Sequence, residues 1–160
     1  SALPGSALPN LTVDSSGDAL LTWVEPDPEG RGDRLQIATL GKSGWSEPVT
    51  AARGVGWFVN WADFPSAAVL DDGTIAVHWL DRISAETYSY GVKVIISRDH
   101  GKTWGDPIIP HRDSSSTEHG FVALRPLGDR FYLAWLDGRA MAGGSGKAMT
   151  LRATTIDANG

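Results

Sequence analysis

The chain contains no cysteine. That excludes disulfide staples and thiolate chemistry, but it leaves the compartment open, because a disulfide-free protein can live in either redox environment. No apolar run approaches the ~20 residues a helix needs to cross a bilayer. Positive charge is in short supply: 14 Lys and Arg stand against 19 Asp and Glu, a net charge of −5 with both signs interspersed. The basic footprint of a nucleic-acid binder is therefore missing. So is any sustained 3.6-residue apolar period with helix caps. Ser1–Gly5 carries no leader peptide, as would also be true of a processed secreted protein. What is present is turn formers and large aromatics: 19 Gly, 9 Pro and 7 Trp in 160 residues. That supply favours many short strands over helices. The length suits one domain, burying roughly 70% of the surface its unfolded chain exposes.

An internal repeat organises the chain. "GDALLTW" ends at Trp23, "DGTIAVHW" at Trp79 and "GDRFYLAW" at Trp135, each 56 residues after the last. Pro9, Pro65 and Phe121 keep the same interval upstream. Downstream, "LQIATL" (35–40), "VKVIIS" (92–97) and "AMTLRAT" (148–154) read as third strands. "WSEPV" from Trp45 and "WGDPI" from Trp104 mark fourth strands, 59 apart. In the second copy the four strands are expected near 65–70, 74–80, 92–97 and 107–110. Four-stranded units repeating at roughly 40 to 60 residues are the signature of β-propeller blades.

The expected fold is therefore all-β: a propeller of four-stranded antiparallel blades. About three blades are present, approximately 8–52, 62–112 and 118–160, forming a single partial propeller over 1–160. The third copy reaches Gly160 without a fourth-strand signal. Propellers close with at least four blades. A six-bladed ring is the expected whole, its remaining blades supplied by a longer chain or by a homo-oligomer.

The segment Ser97-Arg98-Asp99-His100-Gly101-Lys102-Thr103-Trp104 fits S-x-D-x-G-x-T-W at every fixed position. This is the Asp-box, and the chain resembles the sialidase-like propeller superfamily of bacterial-neuraminidase repeats. "LGKSGW" (40–45) keeps only Gly44 and Trp45 of the pattern. The box reads as architecture. Ser97 and Asp99 can satisfy the turn's own amides, Gly101 permits positive φ, and Trp104 supplies a packing plate, with Thr103 the remaining fixed position of the box. The resemblance agrees, because it implies that Asp-boxes lie on the face away from the catalytic funnel. It also favours a periplasmic or secreted location.

Alternate loops of an up-and-down blade share a face. The face opposite the box receives the loops 24–33, 80–91 and 136–147, and the lead-ins 56–65 and 114–121 to first strands. Its candidate groups are Asn60, Trp61, Asp63, Asp81, Arg82, Glu86, Tyr88, Tyr90, Glu118, His119, Asp137 and Arg139. Asn60, Trp61, Asp81, Arg82, His119, Asp137 and Arg139 are read as ligand-binding. The alternative for Asp81 and Asp137 is a surface pairing with the nearby Arg82 and Arg139.

The resemblance implies an exo-sialidase-like hydrolase with an arginine triad for the substrate carboxylate, an acid Asp, and a Tyr nucleophile with Glu. The sequence departs from this. The tripeptide in the place of "R-I-P" is Asp63-Phe64-Pro65, so a carboxylate stands where the first arginine belongs. No acid Asp follows Arg82 or Arg139 in the next loop. A generic glycosidase needs two carboxylates ~5 to 9.5 Å apart across the sugar. Asp63 and Glu118, leading into adjacent first strands, are the candidate catalytic pair, with His119 or Asp81 able to tune them. Trp57, Trp61 and Tyr88 are candidates for stacking on sugar faces or for packing.

Other signals carry less. Arg31-Gly32-Asp33 is a chance-level tripeptide, and the Asn10-Leu11-Thr12 sequon sits on an expected inner strand. "GGSGKA" (143–148) lacks the Walker spacing. His78 alternates as a packed strand residue. His111, Asp113 and His119 lack metal-ligand spacing. No cofactor and no metal are expected. Two functions stay open: recognition of a glycan or similar polar ligand, extending to hydrolysis, or a non-catalytic scaffold for protein interaction or self-assembly. Neither nucleic acid nor membrane is an expected partner.

Overall fold

The computed structural model describes residues 2–142 and 148–159. Three antiparallel sheets follow one another along the chain. The first holds β1 (Ala7–Val13), β2 (Ala19–Pro26) and β3 (Asp33–Gly41), with β4 (Gly44–Trp45) and β5 (Val49–Gly54) both paired to β3. The second holds β6 (Ala67–Val69), β7 (Ile75–Arg82) and β8 (Tyr90–Ser97). The third holds β9 (His119–Leu127), β10 (Arg130–Asp137) and β11 (Thr150–Asp157), with one 3-10 turn at Arg139–Met141.

The repeat is visible in this arrangement. Trp23, Trp79 and Trp135 occupy β2, β7 and β10, the second strand of each sheet, and all are buried. The fourth strand expected at 107–110 shrinks to one bridge, in which Ile108 and Val94 exchange hydrogen bonds of 2.7 and 2.9 Å. Pro107 and Pro110 flank it, and neither has an N–H to extend the ladder.

Side-chain alternation explains why the sheets stack. On β7, Ile75, Val77 and Trp79 pack against Leu20, Val24, Leu35 and Ile37 of the first sheet. Ala76 and Leu80 point the other way, joining Leu124, Phe131, Leu133 and Trp135 of the third. The middle sheet is thus apolar on both faces, as a blade between two blades must be. Each fully buried Leu or Phe in these layers contributes about 1.5–3 kcal/mol. The first strands β1, β6 and β9 touch in sequence, lining one side of the stack. The architecture is an all-β propeller segment. Its outer sheets each leave one face open, where Trp45 and Leu151 are largely exposed. A groove of about 460 Å³ runs along the first sheet's open face, past Leu21, Trp23, Ala38 and Pro48.

The two ends of the sheets differ in character. The Asp-box loop meets the β6–β7 turn: a Cβ on Gly73 would fall 2.1 Å from the His100 ring. At the opposite end, Arg82 N–H reaches Gly56 O at 3.1 Å, and Trp57 bridges Asp81. There too a parallel bridge joins Tyr90 to Glu118.

Candidate functional site

The Asp-box loop satisfies itself. Ser97 Oγ donates to Asp99 Oδ1 at 2.8 Å and accepts from Gly101 N–H at 2.8 Å. Thr103 donates its amide to Asp99 Oδ1 at 2.8 Å and its hydroxyl to Oδ2 at 2.6 Å. These Thr103 bonds, the side-chain one first, lead in holding the Asp99 carboxyl down to about 2. Gly101 takes φ +83°. The polar groups of the box are turned to one another and to its own backbone, leaving none presented as a reactive pair.

At the opposite end the two candidate carboxylates converge on one tyrosine. Glu118, immediately before β9, accepts the Tyr90 hydroxyl. Tyr90 is buried, and its ring stacks on Phe58 with centroids 3.8 Å apart. Burial, and then the bond to Glu118, push the Tyr90 hydroxyl far above its usual range. Asp63, four residues before β6, reaches the same place from the other side. A Cβ on Gly120 would fall 2.2 Å from Asp63 Oδ2 and 2.7 Å from the Tyr90 ring. Asp63 Oδ2 accepts the Phe121 N–H at 2.7 Å. Burial pushes the Asp63 carboxyl up to about 6, against the pull of the Phe121 and Val122 amides and with the negative charge of Glu118 adding. A carboxylic acid raised to this range can hold a proton near neutral pH and deliver it.

Asn60 and Trp61 form the turn that carries Asp63. Asn60 Oδ1 accepts the Ala62 N–H at 2.9 Å, and its carbonyl accepts the Asp63 N–H at 3.1 Å. Trp61 stands at the tip, 87% exposed. Trp57 is buried against Trp79 instead, with centroids 5.5 Å apart. Tyr88 and Glu86 are exposed on the β7–β8 loop.

Asp137, His119 and Arg139 belong to a second, closed cluster. Asp137 is buried and accepts the Trp135 indole N–H at 2.8 Å and the Arg139 guanidinium at 2.7 Å on both oxygens. Desolvation would raise its carboxyl, but these donors hold it well below the usual range. His119 Nε2 lies 2.9 Å from Asp113 and 3.8 Å from Asp137. The His111 ring stacks on His119 at 4.2 Å. Burial, and then the neighbouring His119, push His111 down to about 4. Asp113, His119 and Asp137 offer ligand atoms within 4.8 Å of one another, a convergence the sequence spacing did not show. The Arg139 guanidinium already supplies the positive charge there, and both Asp137 oxygens are engaged. The cluster reads as an ionic lock on the β9 lead-in.

The alternative pairing of Asp81 with Arg82 is not the one the structure shows. Asp81 meets Lys93 at 3.2 Å across the β7–β8 ladder. Successive strand residues point to opposite faces, so Arg82 turns away and lies over the Phe58 ring, 5.4 Å from its centroid. The β10–β11 loop is described only to 142, so the Gly-rich stretch at 143–147 lies outside the described residues.

No family model matches the sequence, and no curated protein matches it. Solved structures do match in shape. The GH93 α-L-arabinofuranosidase of Fusarium graminearum, solved with arabinobiose, superposes with a TM-score of 0.60 at 18% identity, covering 96% of this chain and 46% of that one. The α-L-arabinanase of Penicillium chrysogenum, also with arabinobiose, gives 0.59 at 18% identity, covering 97% and 47%. The endo-arabinase of Bacteroides thetaiotaomicron gives 0.58 at 15%, covering 94% and 56%. The chain therefore spans about half the length of these solved proteins. At such identities the likeness defines the fold: a β-propeller of the kind found in glycoside hydrolases.

Proposed function

We propose that this chain is the part of a glycan-recognising propeller that carries its catalytic carboxylates, and that the assembled protein is a glycoside hydrolase. The observation that carries the reading is the convergence of Asp63 and Glu118 on Tyr90 from the lead-ins to two neighbouring first strands. Asp63, desolvated and raised, is suited to act as general acid. Glu118, fixed by the Tyr90 hydroxyl, is suited to act as base or nucleophile. Asn60 and Trp61 shape the rim, and Asp81 and Arg82 flank it. Asp137, Arg139 and His119 hold the β9 lead-in behind it.

The Asp-box sequence supports placement in the sialidase-like superfamily in its broad sense. Asp63 in the place of the first arginine argues against sialic acid, since no guanidinium stands there to pair with that anion. The arabinan-active neighbours make an uncharged sugar polymer the better substrate class. We take residues 8–52, 62–112 and 118–160 as three blades of about six, the open faces being covered by further blades of a longer chain or by a second copy. Release of reducing sugar from arabinan and from other neutral polysaccharides tests the reading. Asp63→Asn and Glu118→Gln are expected to abolish turnover while the fold is kept. Full turnover by both variants would overturn it.

A further inference from the structure

The two outer sheets leave different faces open, and the repeat relates those faces to the two interfaces already made. Cross-strand partners stand on the same face of a sheet. Val24 with Leu35, Leu80 with Val92, and Leu136 with Leu151 are such pairs, and their second-strand members fall 56 residues apart. The opposite faces of the same sheets carry Leu21 with Ala38, Val77 with Ile95, and Leu133 with Thr154.

Within the chain, a pair of the first kind packs on the next sheet's pair of the second kind. Val24 and Leu35 share one core with Val77 and Ile95. Leu80 and Val92 share the other with Leu133. One pair of each kind is left over. Leu136 and Leu151 end on solvent, Leu151 being 75% exposed, with Tyr132 and Ala153 exposed on the same face. Leu21 and Ala38 line the groove of about 460 Å³ on the first sheet, and their neighbours Leu11 and Val13 are exposed on the same face. The two open faces are thus the two unlike halves of one interface, suited to meet head to tail. Such contacts close into a ring when the rotation allows and run on as filaments when it does not. Two copies supply six sheets. The chain spans 46% and 47% of two of the propellers whose shape it shares.

We propose that the partner on both open faces is a second copy of this chain. Leu136 and Leu151 of each copy enter the Leu21–Ala38 groove of the other, and two copies close one ring of six sheets. The proposal rests on the reading of the chain as three blades of about six, and it chooses between the two coverings named there. The faces to be joined are apolar, as in permanent assemblies whose interfaces resemble a core cut in half. Asp63 and Glu118 join the second sheet to the third, away from both seams. Failure of the pairing and failure of the glycan reading are therefore separate results.

The test uses the full chain, which has no cysteine of its own. Sedimentation velocity should give twice the mass of one chain and no larger species. Leu21→Cys and Leu136→Cys, made as separate variants, should be linked by a short bis-maleimide when co-refolded together, and neither should link to itself. Leu151→Arg puts a charge on a residue exposed in the single copy and buried in the ring. It should weaken self-association roughly a hundredfold and leave the far-ultraviolet circular dichroism unchanged. A monomer at every concentration overturns the proposal, as does an open series of oligomers. So does linkage of either cysteine variant with itself, failure of the co-refolded pair to link, or unchanged association of Leu151→Arg. A monomer that still releases sugar would leave the glycan reading standing and remove only the second copy.

Discussion

The Tyr90 hydroxyl, buried beneath Phe58, donates to the Glu118 carboxylate and so ties the second sheet to the lead-in of the third. Tyr90→Phe keeps the stack on Phe58 and removes only the donor. A hydrogen bond to a charged group contributes about 1.5–3 kcal/mol. Urea unfolding should show a loss of that size, and turnover should fall with little change in KM, because Glu118 is no longer fixed.

Gly120 is where Asp63 Oδ2 and the Tyr90 ring come together, and any Cβ there collides with both. Gly120→Ala is expected to destabilise by about 1–3 kcal/mol, as overpacking does. The Asp63–Phe121 hydrogen bond should be lost as well, visible as a shift of the Phe121 amide resonance.

Asp63 gives stability a defined pH dependence. Its carboxyl is raised from 3.8 to about 6 by burial. Between those values the folded state keeps a proton that the unfolded state has shed. Stability contributed by this group is therefore fully present below pH 3.8 and declines as pH rises through 6. Asp63→Asn does not titrate. Relative to wild type it should gain about 2 kcal/mol between pH 4 and pH 7, with groups common to both proteins cancelling. Chemical denaturation at the two pH values reads the difference, and a flat difference would mean that Asp63 is not desolvated.

The three repeat tryptophans are not equivalent. Trp23 donates to Glu25 at 3.0 Å and Trp135 to Asp137 at 2.8 Å, whereas the buried Trp79 indole N–H has no partner among the described residues. In the second repeat the corresponding acid, Asp81, is drawn to Lys93. Trp135→Phe should therefore cost more than Trp79→Phe. The excess should be about 1–3 kcal/mol, the penalty for leaving a buried polar partner unmade. Thermal unfolding of the two variants side by side decides it.

Much of the architecture is legible in the residues. The 56-residue interval fixes three sheets, and the alternation Ile75, Val77, Trp79 against Ala76, Leu80 encodes a layer covered on both faces. The placement of Asp63 and Glu118 at the end opposite the Asp-box is legible too, because blade topology sorts loops by face. Tyr90 stands among the groups of that face, but its role as their shared anchor is not legible. It arises from a contact between strands of different sheets, and no local pattern records it. The convergence of Asp113, His119 and Asp137 is hidden for the same reason: Asp137 comes from β10, far along the chain from Asp113. Nor does sequence show a positive φ at a phenylalanine, Phe121. Leu8 shares it, each residue lying in a bulge opposite its repeat tryptophan, a recurrence that the side-chain pattern does not record.

The central claim is that a glycan is held at the end of the sheets opposite the Asp-box, between Asp63 and Glu118. The most direct measurement is a titration of the isotope-labelled chain with neutral oligosaccharide, followed by amide chemical shifts. Perturbations are expected at 60–64 and 117–122, and none at 97–104. No perturbation with any neutral sugar, or one centred on Ser97–Trp104, would contradict it.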